Sequence, residues 1–158
     1  MTEKIEGTII QRDRETYAII PRIPAGVVTP ENLENIVKTV RKYEIPIIKI
    51  TSGQRIVLVG IKEEDIDNIK NDLGMLIGEA TAPCLHYVQT CPGTAVCKYG
   101  KQDSLSLGLE IEELYKELNL HAKLKIGVSG CPRCCSESYV RDIGIIGTGK
   151  GWTVTFGG

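Results

Sequence analysis

Four cysteines in two short pairs carry the chemistry of this chain. Cys91 and Cys97 enclose five residues, Cys131 and Cys135 enclose three, and a long stretch separates the pairs. Four thiolates brought together can hold a cubane iron–sulfur cluster, each iron taking one sulfur from the protein. Structural zinc knuckles place roughly two to four residues between cysteines, so the first gap suits zinc poorly. The every-third-residue cysteine run of a bacterial ferredoxin is absent. A single cubane fed by two loops fits best. Pro92 and Pro132 each follow a cysteine directly, and Gly93 and Gly130 permit tight turns and close approach of backbone amides to sulfur.

The bulk composition narrows the setting. The 158 residues suffice for one large domain or two small ones, and the net charge of −1 implies no general affinity for nucleic acid or membrane. One Trp and one Phe make a poor stacking platform for single-stranded bases. All six cysteines lie between Cys84 and Cys135, unlike the spread of a disulfide-stapled secreted domain. Met1 to Ile5 lacks the apolar run of a signal peptide, and no stretch approaches transmembrane length. A soluble, cytoplasmic protein is expected.

The elements that must position the cysteines follow from local pattern. Thr8 to Ile10 and Tyr17 to Ile20 read as short strands around a polar turn. Thr29-Pro30-Glu31 starts a helix whose buried face should carry Leu33, Ile36, Val37 and Val40. Ile45 to Ile50 reads as a buried strand, Ser52-Gly53 as a turn and Ile56 to Val59 as a second strand. Ile66, Ile69 and Leu73 mark another helix, capped by Gly74. Between the cysteine pairs, Leu107, Ile111, Leu114, Tyr115 and Leu118 predict an amphipathic helix with acids near its start. Lys123 to Val128 should be a strand, and Ile143–Ile146 with Trp152–Phe156 a hairpin. The whole predicts an α+β chain of two parts, residues 1–76 and 77–158.

With these residues in place the chain resembles the sirohaem-dependent nitrite and sulfite reductases, above all the sirohaem/4Fe-4S region of the assimilatory nitrite reductase large subunit. Cys97-Lys98-Tyr99-Gly100-Lys101-Gln102-Asp103-Ser104 and Ser129-Gly130-Cys131-Pro132-Arg133 carry the likeness, as does the ending from Asp142 to Gly158. In the first half it rests on Pro21-Arg22, Gly26 before Thr29-Pro30, and Lys49-Ile50-Thr51-Ser52-Gly53-Gln54-Arg55-Ile56. The resemblance implies a ferredoxin-like half-domain over 1–76 and a domain binding sirohaem and a 4Fe-4S cluster over 77–158.

By position, the resemblance implies Cys91, Cys97, Cys131 and Cys135 as cluster ligands, with Cys135 also joining the sirohaem iron. Sirohaem bears many carboxylates, and Arg22, Lys49, Thr51, Gln54, Arg55 and Thr94 are the candidates to bind it. Lys49 and Arg55 would in addition serve catalysis by holding the anion. Gly53 and Ile20 stand where the sulfite reductase branch has arginines, which thins that cationic set. Cys84 and Cys134 lie outside the matched positions and read as packing thiols; His86 and His121 match no motif.

The implied activity is six-electron reduction of nitrite to ammonia or sulfite to sulfide, with electrons from a separate ferredoxin or flavoprotein. The alternative is a sirohaem/4Fe-4S subunit that transfers electrons or handles the tetrapyrrole without being a reductase. Sulfite reductases contain two copies of the ferredoxin-like half and this chain one, so a homodimer is expected.

Overall fold

The computed structural model describes residues 5–78, 82–116 and 118–158. The chain divides into two compact units, one of residues 1–23 and 27–81 and one of residues 24–26 and 82–158.

The first unit is a four-stranded antiparallel sheet with two helices. Strands β1 (Thr8–Ile10), β2 (Thr16–Ile19), β3 (Ile47–Ile50) and β4 (Ile56–Lys62) lie in the order β1-β2-β4-β3. Helix α1 (Pro30–Lys42) begins with a reciprocal cap: Thr29 Oγ1 accepts the Asn32 N–H at 3.1 Å, and Asn32 Oδ1 accepts the Thr29 N–H at 3.2 Å. Helix α2 (Ile66–Leu73) ends where Gly74 turns left-handed at φ 59°. Ile66, Ile69 and Leu73 pack with Tyr17, Ile19, Ile36, Ile45, Leu58 and Ile61 in one core.

Two expectations change here. The pairing order leaves β3 at the sheet edge, so Ile47, Ile48 and Ile50 are half or more exposed, and only Ile45 of that run is buried. A β-branched apolar run reads alike in a central and an edge strand, since pairing partners decide the difference. In α1 the buried positions are Ile36 and Thr39, while Leu33 and Val37 are exposed. The helix is rolled so that its contact ridge is centred away from Leu33.

The second unit has strands β5 (Leu85–Thr90), β6 (Leu124–Ser129), β7 (Ile143–Thr148) and β8 (Gly151–Phe156) in sequential order. β5, β6 and β7 are parallel, and β7–β8 is the antiparallel hairpin. Strand β5 was not anticipated. Its six residues are all buried and include His86, Gln89 and Thr90, so no clean alternation marks it.

Helix α3 (Ser104–Tyr115) connects β5 to β6. It starts with Asp103, whose side chain accepts the Ser106 N–H, and has no acid in its first turn. Leu118 lies beyond its end, and Leu114 and Tyr115 are exposed. Leu107 and Ile111 pack against the core as expected, and the fully buried positions are Ser104, Gly108 and Glu112. A methyl group at Gly108 would sit 2.1 Å from Thr90 Cγ2, so this glycine lets the helix lie directly on β5.

Among the described residues no helix is long and apolar enough to cross a membrane.

Candidate functional site

Parallel strands bring the two cysteine pairs together. β5 ends at Thr90 and delivers Cys91; its neighbour β6 ends at Ser129 and delivers Gly130 and Cys131. Thr90 and Val128 are register partners, so both cysteine loops leave the same edge of the sheet. The carbonyl of Gly130 then accepts the amides of Lys101 at 2.8 Å and Gln102 at 3.0 Å, folding the first loop onto the second.

The contact is tight because it is made by glycines. A Cβ on Gly130 would lie 2.6 Å from Gly93 Cα and 2.8 Å from the Gln102 carbonyl oxygen. The second loop is anchored from below by buried serines. Ser136 donates from Oγ to the Val128 carbonyl at 2.9 Å, its amide donates to Ser129 Oγ at 3.2 Å, and the Ser129 and Ser138 hydroxyls meet at 2.8 Å. Arg141 adds a tie to β5, donating to Tyr87 Oη at 3.1 Å, to Gln89 Oε1 and to Glu137.

Between the loops is a cavity of about 170 Å³. Cys91, Cys97, Cys131 and Cys135 all line it, with Pro92, Gly93, Tyr99, Gly100, Gly130 and Arg133. Cys131 is buried, Cys91 half-buried, and Cys97 and Cys135 exposed, so the sulfur set runs from the sheet edge outward. Among the described residues no three ligating side chains converge as they would on a single ion. Four thiolate donors around one cavity are the ligand number and type that a cubane cluster takes.

The sulfurs are not equivalent. Cys91 Sγ accepts the Gly130 N–H at 3.2 Å and lies 3.3 Å from Ser104 Oγ. Burial pushes the Cys91 thiol up, but the amides of Gly130 and Gly93 and the hydroxyls of Ser104 and Ser136 outweigh it and hold it below the ordinary thiol range. At the rim, the Arg133 guanidinium lies 3.8 Å from the centre of the Tyr99 ring, and the Lys98 ammonium 4.9 Å from it.

The other candidates lie elsewhere. Thr94 is exposed in the turn Gly93–Ala95 and is not among the cavity residues. Lys49, Thr51, Gln54 and Arg55 share the β3–β4 hairpin of the first unit. There the Thr51 N–H donates to the Arg55 carbonyl at 2.8 Å and the Arg55 N–H to Thr51 Oγ1 at 3.2 Å. Lys49 is exposed and Arg55 buried. Arg22 follows β2, its amide donating to the Leu76 carbonyl at 2.7 Å. Cys84 is buried and Cys134 half-buried, and neither lines the cavity.

Sequence reading passed over Ser104 and gave Arg133 no role. Ser104 has a usable signal, the first helical residue after an Asp cap, but its contact with Cys91 depends on how α3 docks.

Residues 81–158 match the nitrite and sulphite reductase 4Fe-4S domain, and residues 9–76 the nitrite/sulfite reductase ferredoxin-like half domain. An assimilatory-type sulfite reductase of Nitratidesulfovibrio vulgaris is 54% identical over 158 residues, covering 100% of this chain and 72% of the relative. The chain belongs to the nitrite and sulfite reductase family.

Members of this family are sirohaem-dependent oxidoreductases, and its cofactors are a 4Fe-4S cluster and sirohaem. The NAD(P)H nitrite reductase of Bacillus subtilis is 44% identical over 94% of this chain, which spans 18% of that relative. The NADH nitrite reductase large subunit of Escherichia coli is 42% identical over 92% of the chain, which spans 17% of it. Among solved structures, the Mycobacterium tuberculosis NirA protein superposes with TM-score 0.73 at 20% identity over 98% of this chain and 31% of that one. Dissimilatory sulfite reductase I gives 0.72 at 22% identity over 83% of this chain and 32% of that one. These two likenesses concern the fold. The architecture is α+β, with a ferredoxin-like half-domain followed by a second α+β domain.

Proposed function

We propose that this chain is the catalytic module of a sirohaem reductase, carrying out six-electron reduction of sulfite to sulfide or of nitrite to ammonia. The observation that carries the reading is the single cavity lined by four cysteines at the end of two parallel strands. Residues 1–76 are its ferredoxin-like half and 77–158 its cofactor-binding half.

Cys91, Cys97, Cys131 and Cys135 would hold the cluster, and Cys135, exposed on the outer side of the set, would also meet the sirohaem iron. When bound, the two groups supply the redox chemistry and the electron store. The protein's share is to position them, exclude competing ligands and provide cations. Lys49, Thr51, Gln54 and Arg55, with Arg22 and Thr94, would bind sirohaem carboxylates, and Lys49 and Arg55 would hold the anion through charge-assisted hydrogen bonds. Electrons would come from a separate ferredoxin or flavoprotein, and two copies of the chain would supply two ferredoxin-like halves. The cytoplasm is the compartment we assign, where cysteine ligands stay reduced.

Sulfite is placed first because the 54%-identical relative bears the name of a sulfite reductase. Protein purified without oxygen should show the Soret and charge-transfer bands of sirohaem and reduce sulfite with dithionite-reduced viologen. Bands without turnover on either anion would leave the electron-transfer reading. A chain that takes up cluster but no sirohaem would sink the reductase reading.

A further inference from the structure

Cys91 is the cavity sulfur with hydrogen-bonding groups built around it. Ser104, wholly buried, places its hydroxyl 3.3 Å from Cys91 Sγ and 2.7 Å from the Cys91 carbonyl oxygen. That hydroxyl has one proton and two acceptors. A thiol Cys91 can itself donate to Ser104 Oγ, leaving the serine proton on the carbonyl. A ligating thiolate has no proton to give and is the stronger acceptor, because hydrogen bonds to charged groups are roughly twice as strong as neutral ones. A small rotation about the Ser104 hydroxyl then turns its proton to sulfur.

The backbone leaves room for this group. A Cβ on Gly93 would lie 2.5 Å from Ser104 Oγ, and one on Gly130 would lie 3.0 Å from it. The Gly130 amide already donates to the same sulfur at 3.2 Å. Ser104 and Gly130 both address Cys91, and the Gly93 amide and the Ser136 hydroxyl add to them, so the donors gather on this sulfur.

We propose that the Ser104 hydroxyl tunes the reduction potential of the cluster by donating a hydrogen bond to the Cys91 sulfur. Hydrogen bonds to ligand sulfur withdraw electron density and favour the more negative, reduced cluster, so they raise its potential. Ser104 thereby makes the iron held by Cys91 different from the other three. The inference rests on the cluster reading above and adds a role for a residue outside the ligand set.

The test is anaerobic reconstitution of the full chain and of Ser104→Ala with iron and sulfide. Iron and sulfide content, a potentiometric titration followed by electron paramagnetic resonance, and the iron–thiolate stretches in resonance Raman are then measured. S104A should keep its cluster, shift one iron–thiolate stretch, and have a reduction equilibrium about tenfold less favourable, which for one electron is about 59 mV to the negative side. An unchanged midpoint with the cluster retained overturns the proposal. Loss of the cluster in S104A overturns it too, since the hydroxyl would then build the site rather than tune it. If the wild-type chain takes up no 4Fe-4S cluster, the cluster reading fails first and this proposal falls with it.

Discussion

The Gly130 amide donates to Cys91 Sγ at 3.2 Å across 39 positions of sequence, and it is the point where the two cysteine loops become one site. Gly130 also accepts the amides of Lys101 and Gln102, which ties it to the first loop a second time. Gly130→Ala would force a methyl group to within 2.6 Å of Gly93 Cα, which is backbone and cannot yield cheaply. We expect G130A to lose most of its reconstituted iron while far-UV circular dichroism stays close to wild type. Iron content equal to wild type would show that the loops are free to separate.

The proposed ligand set predicts a sharp division among the six cysteines. Serine at Cys91, Cys97 or Cys131 should abolish the visible absorption of the cluster, because each removes one of four thiolates. Serine at Cys135 should also eliminate any sirohaem band. Serine at Cys134, which takes φ 56° in the turn after Cys131, should leave the spectrum intact. A bleached C134S protein would mean that a fifth sulfur takes part.

Glu112 is a buried carboxylate that accepts two backbone amides, Ala25 at 3.1 Å and Val88 at 3.3 Å. It fixes residues 24–26 into the second unit against α3 and β5. Glu112→Ala orphans these donors, at about 1–3 kcal/mol for each one left without an acceptor. Glu112→Gln keeps an acceptor oxygen and should cost clearly less. Urea unfolding of the two variants should rank them in that order.

Gly108 is worth about 1 kcal/mol less than alanine by helix propensity, yet Gly108→Ala should destabilise. The added methyl group meets Thr90 Cγ2 at 2.1 Å, and overpacking of that kind costs about 1–3 kcal/mol. Thr90→Ser removes the clashing carbon while keeping the hydroxyl that donates to the Ala25 carbonyl at 2.9 Å. The double variant should recover much of the loss. Simple additivity of the two substitutions would refute the contact.

Lys42 of α1 donates to Asp72 of α2 at 2.7 Å, and Tyr43 donates to the same oxygen at 2.8 Å. These hydrogen bonds lower the Asp72 carboxyl below its ordinary value, and the bond to Asp72 raises Lys42. A lowered carboxyl contributes stability that is present above its unfolded value, about 3.9, and is lost as pH falls through the lowered value. A raised lysine contributes stability present below about 10.4 and lost as pH rises through the raised value. Both groups are well exposed, so the effect should be small and weaken with salt. Unfolding of Asp72→Asn against wild type should differ at neutral pH and converge under strong acid.

Much of this was legible from residue type alone. The Thr29 cap, the Gly74 stop and the Ile66, Ile69, Leu73 ridge are local features, and each stands where its pattern put it. Residue type and short spacing also single out Cys91, Cys97, Cys131 and Cys135, and all four line one cavity. What was not readable depended on partners. Nothing in Ile47-Ile48-Lys49-Ile50 says that β3 has a neighbour on one side only. Nothing in Leu85 to Thr90 says that its polar residues are buried under a helix and a loop.

By itself, then, the sequence determined the donor atoms, the helix ends and the family pattern, because these are written in residue identity and short spacing. Tertiary structure alone decided that β5 and β6 run parallel and side by side. That alignment sends Cys91 and Cys131 off one edge and lets Gly130 and Ser104 reach the Cys91 sulfur. Such contacts join residues tens of positions apart, and their geometry is set by how the helix and the sheet pack rather than by any local preference.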